Sequence, residues 1–315
     1  MSSNIDAPEF IWHNGRHIPW AEANVHILAT GVQFGLSVFE GIRCYATPTG
    51  PAIFRLREHL QRLRDSCRIY RMDLPYSLDQ LAQGCINLIR ANRLDECYVR
   101  PMVMRGYGDM GMASIGNPIE VYIAVWKWGA YLGQVDADKG LDVCVSSWNR
   151  PAPNTFPALA KAGGHYTNAA LIKLDALAKG FAEAIALTPD GMVGEGSGQN
   201  VFVVRDGVLM TPPVVGSILS GITRSAVFEL AQELELPVQE CNLPRELLYV
   251  ADELFFTGTA TEIVPIGSVD RIAIGDGRTG PVTRQLRKAL LDVAHGCAAD
   301  HRNWLTPVSK PKGEN

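Results

Sequence analysis

Short strand-like runs bounded by turn residues recur along this chain, and amphipathic helical stretches alternate with them. That mixture points to an α+β protein. No apolar run reaches the roughly 18 residues of a membrane span. At about 150 residues per domain, 315 residues are two domains' worth of chain. Hydrophobic residues make up 47% and charged residues 20%, enough apolar side chain for a sizeable core, so disorder over most of the length is excluded.

The first part of the chain mixes hairpins and helices. Phe10 to Trp12 and His17-Ile18 read as strands around an Asn14-Gly15 turn. One strand is expected from Ser37 to Tyr45 and another over Ile53 to Arg55. Leu56, Leu60, Leu63, Cys67 and Tyr70 recur at helical spacing, and Ser77 with Gln80 forms a capping box for a helix over Leu81 to Arg90. Tyr98, Arg100, Met102 and Met104 share one face of a strand, and Ile119 to Trp126 is another. After a glycine-containing stretch the texture changes. Strands are expected at 141–147, 182–188, 201–204, 208–211, 253–257 and 262–266, with helices near 167–179, 223–235 and 281–295. Pro281 and Gly296 bracket the last helix in the expected order. The predicted division is a smaller N-terminal domain over 1–128, a linker over 129–136 and a larger C-terminal domain over 137–315.

Several functional classes are set aside. The net charge of −4 argues against a nucleic-acid surface. Met1 to Phe10 lacks the basic and apolar regions of a secretory signal. Seven scattered cysteines, never spaced Cys-x-x-Cys, fit a reducing compartment, and the expected location is the cytoplasm. His13 and His17 have the spacing of a metal pair, but the turn between them takes them off any common helical face, so no metal site is expected.

Lysine is scarce, eight in all, and Lys161 stands apart. No acidic residue lies within ten positions of it, and Ala162-Gly163-Gly164 follow. A lysine in such surroundings is the kind that serves as an amine nucleophile, although a structural lysine fits the same pattern. Gly194-Glu195-Gly196-Ser197-Gly198-Gln199-Asn200 reads as a loop that lets backbone approach a flat ligand and presents one carboxylate. It runs into a strand rather than a helix, so it is not a dinucleotide fingerprint. Ser220-Gly221-Ile222-Thr223 opens an amphipathic helix whose first N–H groups suit a phosphate, and Thr257-Gly258-Thr259-Ala260-Thr261 adds hydroxyls. An amine, a lone carboxylate and a phosphate cup are the parts that hold pyridoxal phosphate.

Motifs in order along the chain carry a family resemblance: Ser37-Val38-Phe39-Glu40-Gly41-Ile42-Arg43, Arg57-Glu58-His59-Leu60-Gln61-Arg62-Leu63, Tyr98-Val99-Arg100-Pro101, Ser146-Ser147-Trp148-Asn149-Arg150, Lys161-Ala162-Gly163-Gly164-His165-Tyr166, Glu195 to Asn200, Gly221-Ile222-Thr223-Arg224 and Gly258 to Ile263. From Trp12 to about Val282 the sequence resembles the branched-chain amino acid aminotransferases, pyridoxal-phosphate enzymes of fold type IV. The resemblance implies that Lys161 holds the cofactor covalently and shuttles the substrate α-proton. Glu195 pairs with the pyridine nitrogen, Tyr166 meets the phenolic oxygen, and Arg62, Ile222, Thr223 and Thr259 take the phosphate. Tyr98, with Thr259 and Ala260, faces the substrate α-carboxylate, Phe39 and Gly41 shape the side-chain pocket, and Arg100 is associated with a distal carboxylate. Phe34, Met110 and Met112 resemble residues donated by a neighbouring subunit, which implies a homodimer as the smallest unit, within a larger symmetric assembly or alone.

Two positions depart from the pattern. Phe34 stands where many relatives carry tyrosine, and His165 where asparagine is frequent. The implied reaction is ping-pong transfer of the amino group of leucine, isoleucine or valine to 2-oxoglutarate. D-amino acid transaminases, (R)-amine transaminases and aminodeoxychorismate lyases share the lysine and the acid, and a non-catalytic pyridoxal-phosphate carrier is the reading from another class.

Overall fold

The computed structural model describes residues 7–129, 138–215 and 217–308. Packing divides the chain into two units, the first of Met1–Gly129, Ala160–Gly164 and Asp292–Asn315, the second of Ala130–Leu159 and His165–Leu291.

In the first unit, Asn14 and Gly15 both take positive φ, and this tight turn joins β1 (Phe10–His13) to β2 (Arg16–Pro19), with Trp12 opposite His17. The hairpin directs His13 to Glu120 at 2.7 Å rather than toward His17. A single turn, α1 (Thr30–Gln33), precedes β3 (Ser37–Phe39), β4 (Ile42–Tyr45) and β5 (Ala52–Phe54). The one strand expected over 37–45 is therefore two. The break falls at Glu40-Gly41, where the Glu40 amide donates to Pro101 O at 2.8 Å and its carboxylate is buried. Next come α2 (Leu56–Ile69) and α3 (Leu78–Ala91), the latter closed by the Ser77/Gln80 capping box. β6 (Cys97–Arg105) and β7 (Ile119–Trp126) pair antiparallel along their whole length. Val99, Val103, Val121, Ile123 and Val125 are fully buried on one face of this pair, in one core with Leu60, Leu63, Leu81 and Leu88 of the helices. Each such side chain contributes about 1.5–3 kcal/mol relative to exposure. The alternation that sends the valines inward sends Tyr98, Arg100 and Trp126 to the opposite face.

Residues 160–164 belong to this unit because backbone hydrogen bonds hold them there. Val38 bridges Ala162, the Phe39 amide donates to Lys161 O at 3.0 Å, and Ser66 Oγ accepts the Lys161 amide at 3.0 Å. The packing thus takes 160–164, and likewise the chain from Asp292 onward, out of the uninterrupted stretch 137–315 that the sequence places in one domain. Of the expected linker 129–136, all but Gly129 lies outside the described residues.

The second unit is a mixed sheet with helices. In chain order it contains β8 (Leu141–Val145), α4 (Tyr166–Ala178), β9 (Glu183–Leu187), β10 (Val193–Gly196), β11 (Asn200–Arg205), β12 (Val208–Thr211), α5 (Ile222–Glu233), β13 (Val238–Glu240), α6 (Leu247–Val250), β14 (Glu253–Gly258), β15 (Glu262–Val269), β16 (Ile272–Ala273) and, up to Leu291, most of α7 (Pro281–Ala294). The sheet order is β10-β9-β8-β15-β14-β11-β12-β13, with β16 on β15. Ile185, Val201, Val203 and Phe256 are fully buried in its core. Buried Glu253 accepts the amides of Val282 and Thr283 at 3.0 and 2.8 Å, satisfying orphan donors at the start of α7. Past α7, Gly296 turns at positive φ, and β17 (Leu305–Pro307) pairs with β5 in the first unit's sheet, ordered β17-β5-β4-β6-β7-β1-β2 with β3 on β6. No helix among the described residues is long and apolar enough to cross a membrane.

Candidate active site

The site residues fall into two groups, one in each unit. In the first unit, α2 places His59, Arg62 and Ser66 on one face, three and four residues apart. Glu40, with 0% exposure, meets this face from the break between β3 and β4. Its Oε1 accepts Arg62 Nε at 2.6 Å, and its Oε2 accepts Arg62 Nη2 at 2.8 Å and His59 Nδ1 at 2.7 Å. Burial opposes ionisation of the Glu40 carboxyl, but the charge and hydrogen bonds of Arg62, with the bond from His59, outweigh it and hold the group well below the usual carboxylate range. Burial also pushes the His59 imidazole down, against the pull of Glu40. Facing an ionised carboxylate, His59 Nδ1 is the donor of that bond, and the two-pronged ion pair is Glu40 with Arg62.

Gly41 lies directly under Tyr98. A Cβ at position 41 would sit 1.7 Å from the Tyr98 hydroxyl, so only glycine allows the ring to cross there. Tyr98 in turn stands against Trp126 and Trp128, with ring centroids 5.1 and 4.5 Å away. Arg100, two residues along β6, is surrounded by aromatic faces, its Cζ lying 4.7, 5.4 and 5.6 Å from the ring centroids of Phe39, Tyr98 and Trp126. Its Nε is buried and meets no hydrogen-bond acceptor among the described residues. Lys161 Nζ lies 5.2 Å from the centroid of the same Phe39 ring. Gly163, two residues after the lysine, has a steric reason: a Cβ there would meet Ser37 Oγ at 2.4 Å. Phe39, Gly41, Arg62, Tyr98, Arg100 and Lys161 are thus assembled by one unit. Phe34, Met110 and Met112 lie on its surface, 38%, 40% and 77% exposed.

In the second unit, Glu195 is on a strand rather than in the loop the sequence predicts: it belongs to β10 and pairs with Ala186 of β9, and only 197–199 form the turn into β11. Glycine lowers the strand signal, and close packing explains its presence, since a Cβ on Gly196 would lie 2.6 Å from Gln199 Oε1 and 2.9 Å from the Phe256 ring. The buried Glu195 carboxylate is anchored through both oxygens. Arg150 Nη2 pairs with Oε1 at 3.0 Å, while Asn200 Nδ2 and the Leu219 amide donate to Oε2 at 3.2 Å each. Arg150 is itself tied to Asn168 Oδ1 at 2.9 Å. Gly221 caps α5, where a Cβ would strike Asn200 Oδ1, and Ile222 and Thr223 form the buried first turn. Thr259 and Ala260 occupy the turn between β14 and β15, and Tyr166 opens α4, 37% exposed. Glu40, His59, Arg150 and Asn200 were not singled out by sequence reasoning, although Glu40 is the only acid in the run from Ser37 to Tyr45. Chemically the residues supply a primary amine, a carboxylate fixed by a guanidinium, and a helix start able to take an anion. This donor set fits pyridoxal phosphate.

The family described as Amino-transferase class IV matches residues 37–269. The branched-chain-amino-acid aminotransferase of Salmonella typhimurium is 48% identical over 304 residues, covering 96% of this chain and 98% of its own. The crystal structure of the Escherichia coli branched-chain amino acid aminotransferase superposes with a TM-score of 0.94 at 47% identity, covering 96% of this chain and all of that one. The branched-chain amino acid aminotransferase of Thermobaculum terrenum, solved in its PLP-form, gives 0.90 at 38% identity over 96% of this chain and 99% of its own. With its lysine, its anchored carboxylate and this likeness over nearly its whole length, the chain belongs to the class IV amino-transferases and, within them, to the branched-chain-amino-acid aminotransferase family.

Proposed function

We propose that this protein transfers the amino group of leucine, isoleucine or valine to 2-oxoglutarate by a ping-pong reaction that uses pyridoxal phosphate. The observation that carries the reading is the Phe39 ring, 5.2 Å from the Lys161 amine and 4.7 Å from the Arg100 guanidinium. An apolar surface for a branched side chain and a cation for the second carboxylate of glutamate adjoin the same nucleophile.

When bound, the cofactor supplies an electron sink and a carrier for the amino group. Lys161 would hold it covalently, and its Nζ would take the α-proton and return it. Glu195, fixed by Arg150 and Asn200, would keep a proton on the ring nitrogen. Tyr166 would meet the phenolic oxygen. Arg62 and the groups at Ile222, Thr223 and Thr259 would take the phosphate. Tyr98, with Thr259 and Ala260, receives the substrate α-carboxylate, and Phe39 and Gly41 bound the side-chain pocket. A homodimer is the smallest active unit, because Phe34, Met110 and Met112 are apolar side chains left exposed that a second copy would cover. The cytoplasm is the location, in keeping with seven cysteines that are all free thiols.

Half-reactions followed by cofactor absorbance test the reading. Leucine, isoleucine, valine and glutamate are expected to convert the cofactor, and D-alanine and (R)-1-phenylethylamine are not. Conversion by the D-amino acid or the (R)-amine alone would overturn the reading in favour of a D-amino acid or (R)-amine transaminase. A spectrum that no substrate changes would point to a carrier.

A further inference from the structure

Glu40 has no part in the reaction as described, yet it is fully buried between Phe39 and Gly41 and makes a two-pronged pair with Arg62. Its second oxygen also accepts from His59, itself 1% exposed, and receives the Gly41 amide at 3.3 Å. Such a pair has a specific consequence. Opposite charges at this distance largely cancel, so Arg62 offers a phosphate little net charge. What remains useful is direction. A guanidinium is planar, and once its Nε and Nη2 are fixed by one carboxylate its outer edge can point only one way. His59 completes the arrangement by holding Oε2 with its Nδ1–H at 2.7 Å.

We propose that Glu40, backed by His59, is a positioning residue for the cofactor phosphate, fixing the plane of Arg62 so that its outer edge meets the phosphate without reordering. This rests on the reading of Arg62 as a phosphate ligand. The competing account is a buried pair that serves the fold alone. The two differ in what they do to a ligand that lacks the phosphate.

The test compares equilibrium binding of pyridoxal phosphate and of pyridoxal to the cofactor-depleted full chain, read by absorbance and fluorescence, with melting curves alongside. Glu40→Gln keeps the shape but loses one charged acceptor. It is expected to weaken pyridoxal phosphate by about ten- to a hundredfold, the range of a charge-assisted hydrogen bond, and to change pyridoxal less than threefold. His59→Asn restores an N–H donor near the Nδ1 position and is expected to keep the wild-type ratio of the two affinities. Arg62→Gln is the control and is expected to abolish most of the preference for the phosphorylated ligand. If Arg62→Gln collapses the ratio while Glu40→Gln weakens both ligands equally or neither, the proposal is overturned and the Arg62 reading stands. If Arg62→Gln leaves the ratio intact, the phosphate reading itself fails and the proposal with it. Should Glu40→Gln not fold, Glu40→Asp retains the charge, withdraws it by one methylene from the guanidinium, and is read by the same ratio.

Discussion

Ser66 Oγ accepts the Lys161 backbone amide at 3.0 Å, so the helix that carries Arg62 also holds the segment that carries the amine. Arg62 and Ser66 are one turn apart on α2, and their spacing is therefore set by helix geometry rather than by loop packing. Ser66 is fully buried, and its replacement removes the hydroxyl acceptor from a partly buried amide. Ser66→Ala is expected to cost about 1–3 kcal/mol of stability, visible as a lowered melting temperature. It is also expected to shift the visible absorbance maximum of the bound cofactor, because the amine's backbone loses its fixed point. An unchanged spectrum would mean that the Phe39–Lys161 backbone bond alone positions the lysine.

Gly41 and Tyr98 form a pair whose energetics can be separated. The missing Cβ at 41 is the space the Tyr98 hydroxyl occupies. Gly41→Ala is expected to displace the ring and reduce kcat/KM for leucine and glutamate alike, by about a hundredfold, as for other misplacements near 1 Å. Tyr98→Phe removes the clashing oxygen. The double variant Gly41→Ala/Tyr98→Phe is therefore expected to be more active than Gly41→Ala alone, and a double-mutant cycle in steady-state kinetics measures that coupling. Strict additivity would show that the loss comes from the backbone at 41 and not from the hydroxyl.

Glu195 depends on Arg150 in the same direct way. Arg150→Met keeps a long apolar stem but takes the guanidinium away from a buried carboxylate that Asn200 and the Leu219 amide also hold. Breaking one side of a buried pair costs about 3–5 kcal/mol, so a fall of several degrees in the melting temperature of the full chain is expected, together with faster release of the cofactor. Double replacement with Glu195→Gln is expected to recover much of the stability and none of the activity.

These residues also show where sequence reasoning succeeds and where it stops. The strands and helices of the first unit are legible because period-two and period-3.6 patterns sort Val99, Val103, Leu60 and Leu63 inward, and local turn and cap chemistry at Asn14-Gly15 and Ser77 fixes their ends. Lys161 stands out in the sequence by its acid-free surroundings. Its place in the first unit is not legible, because it depends on hydrogen bonds to Phe39 and Ser66 more than ninety residues away. The break at Glu40-Gly41 is hidden for a related reason: local pattern favours a continuous strand, and only the buried partners Arg62 and His59 explain why a carboxylate interrupts it. Strand β10 is masked by its glycines, Gly196 packed against Gln199 and Phe256 and Gly194 against the Ala186 carbonyl.

Arg100 is expected to separate the two substrates. A pocket that accepts leucine must also accept the second carboxylate of glutamate, and burying that charge unpaired would cost several kcal/mol. A cation in the wall relieves this cost, but the same cation must be tolerated when leucine is bound. The aromatic surroundings answer that requirement, since the faces of Phe39, Tyr98 and Trp126 attract the guanidinium when no carboxylate is present. The buried Nε, which meets no acceptor among the described residues, leaves Arg100 able to engage an incoming anion without first breaking a bond to them at that atom. A charged hydrogen bond contributes about 1.5–3 kcal/mol. Arg100→Ala is accordingly expected to slow the glutamate half-reaction by about ten- to a hundredfold in kcat/KM and to change the leucine half-reaction little, as read by single-turnover absorbance with each amino acid. Trp126→Leu is expected to do the reverse, weakening leucine more than glutamate, because it removes one of the faces that stabilise the cation when the substrate is apolar. Equal losses for both substrates in Arg100→Ala would show that the arginine supports the aromatic wall rather than reading the distal carboxylate.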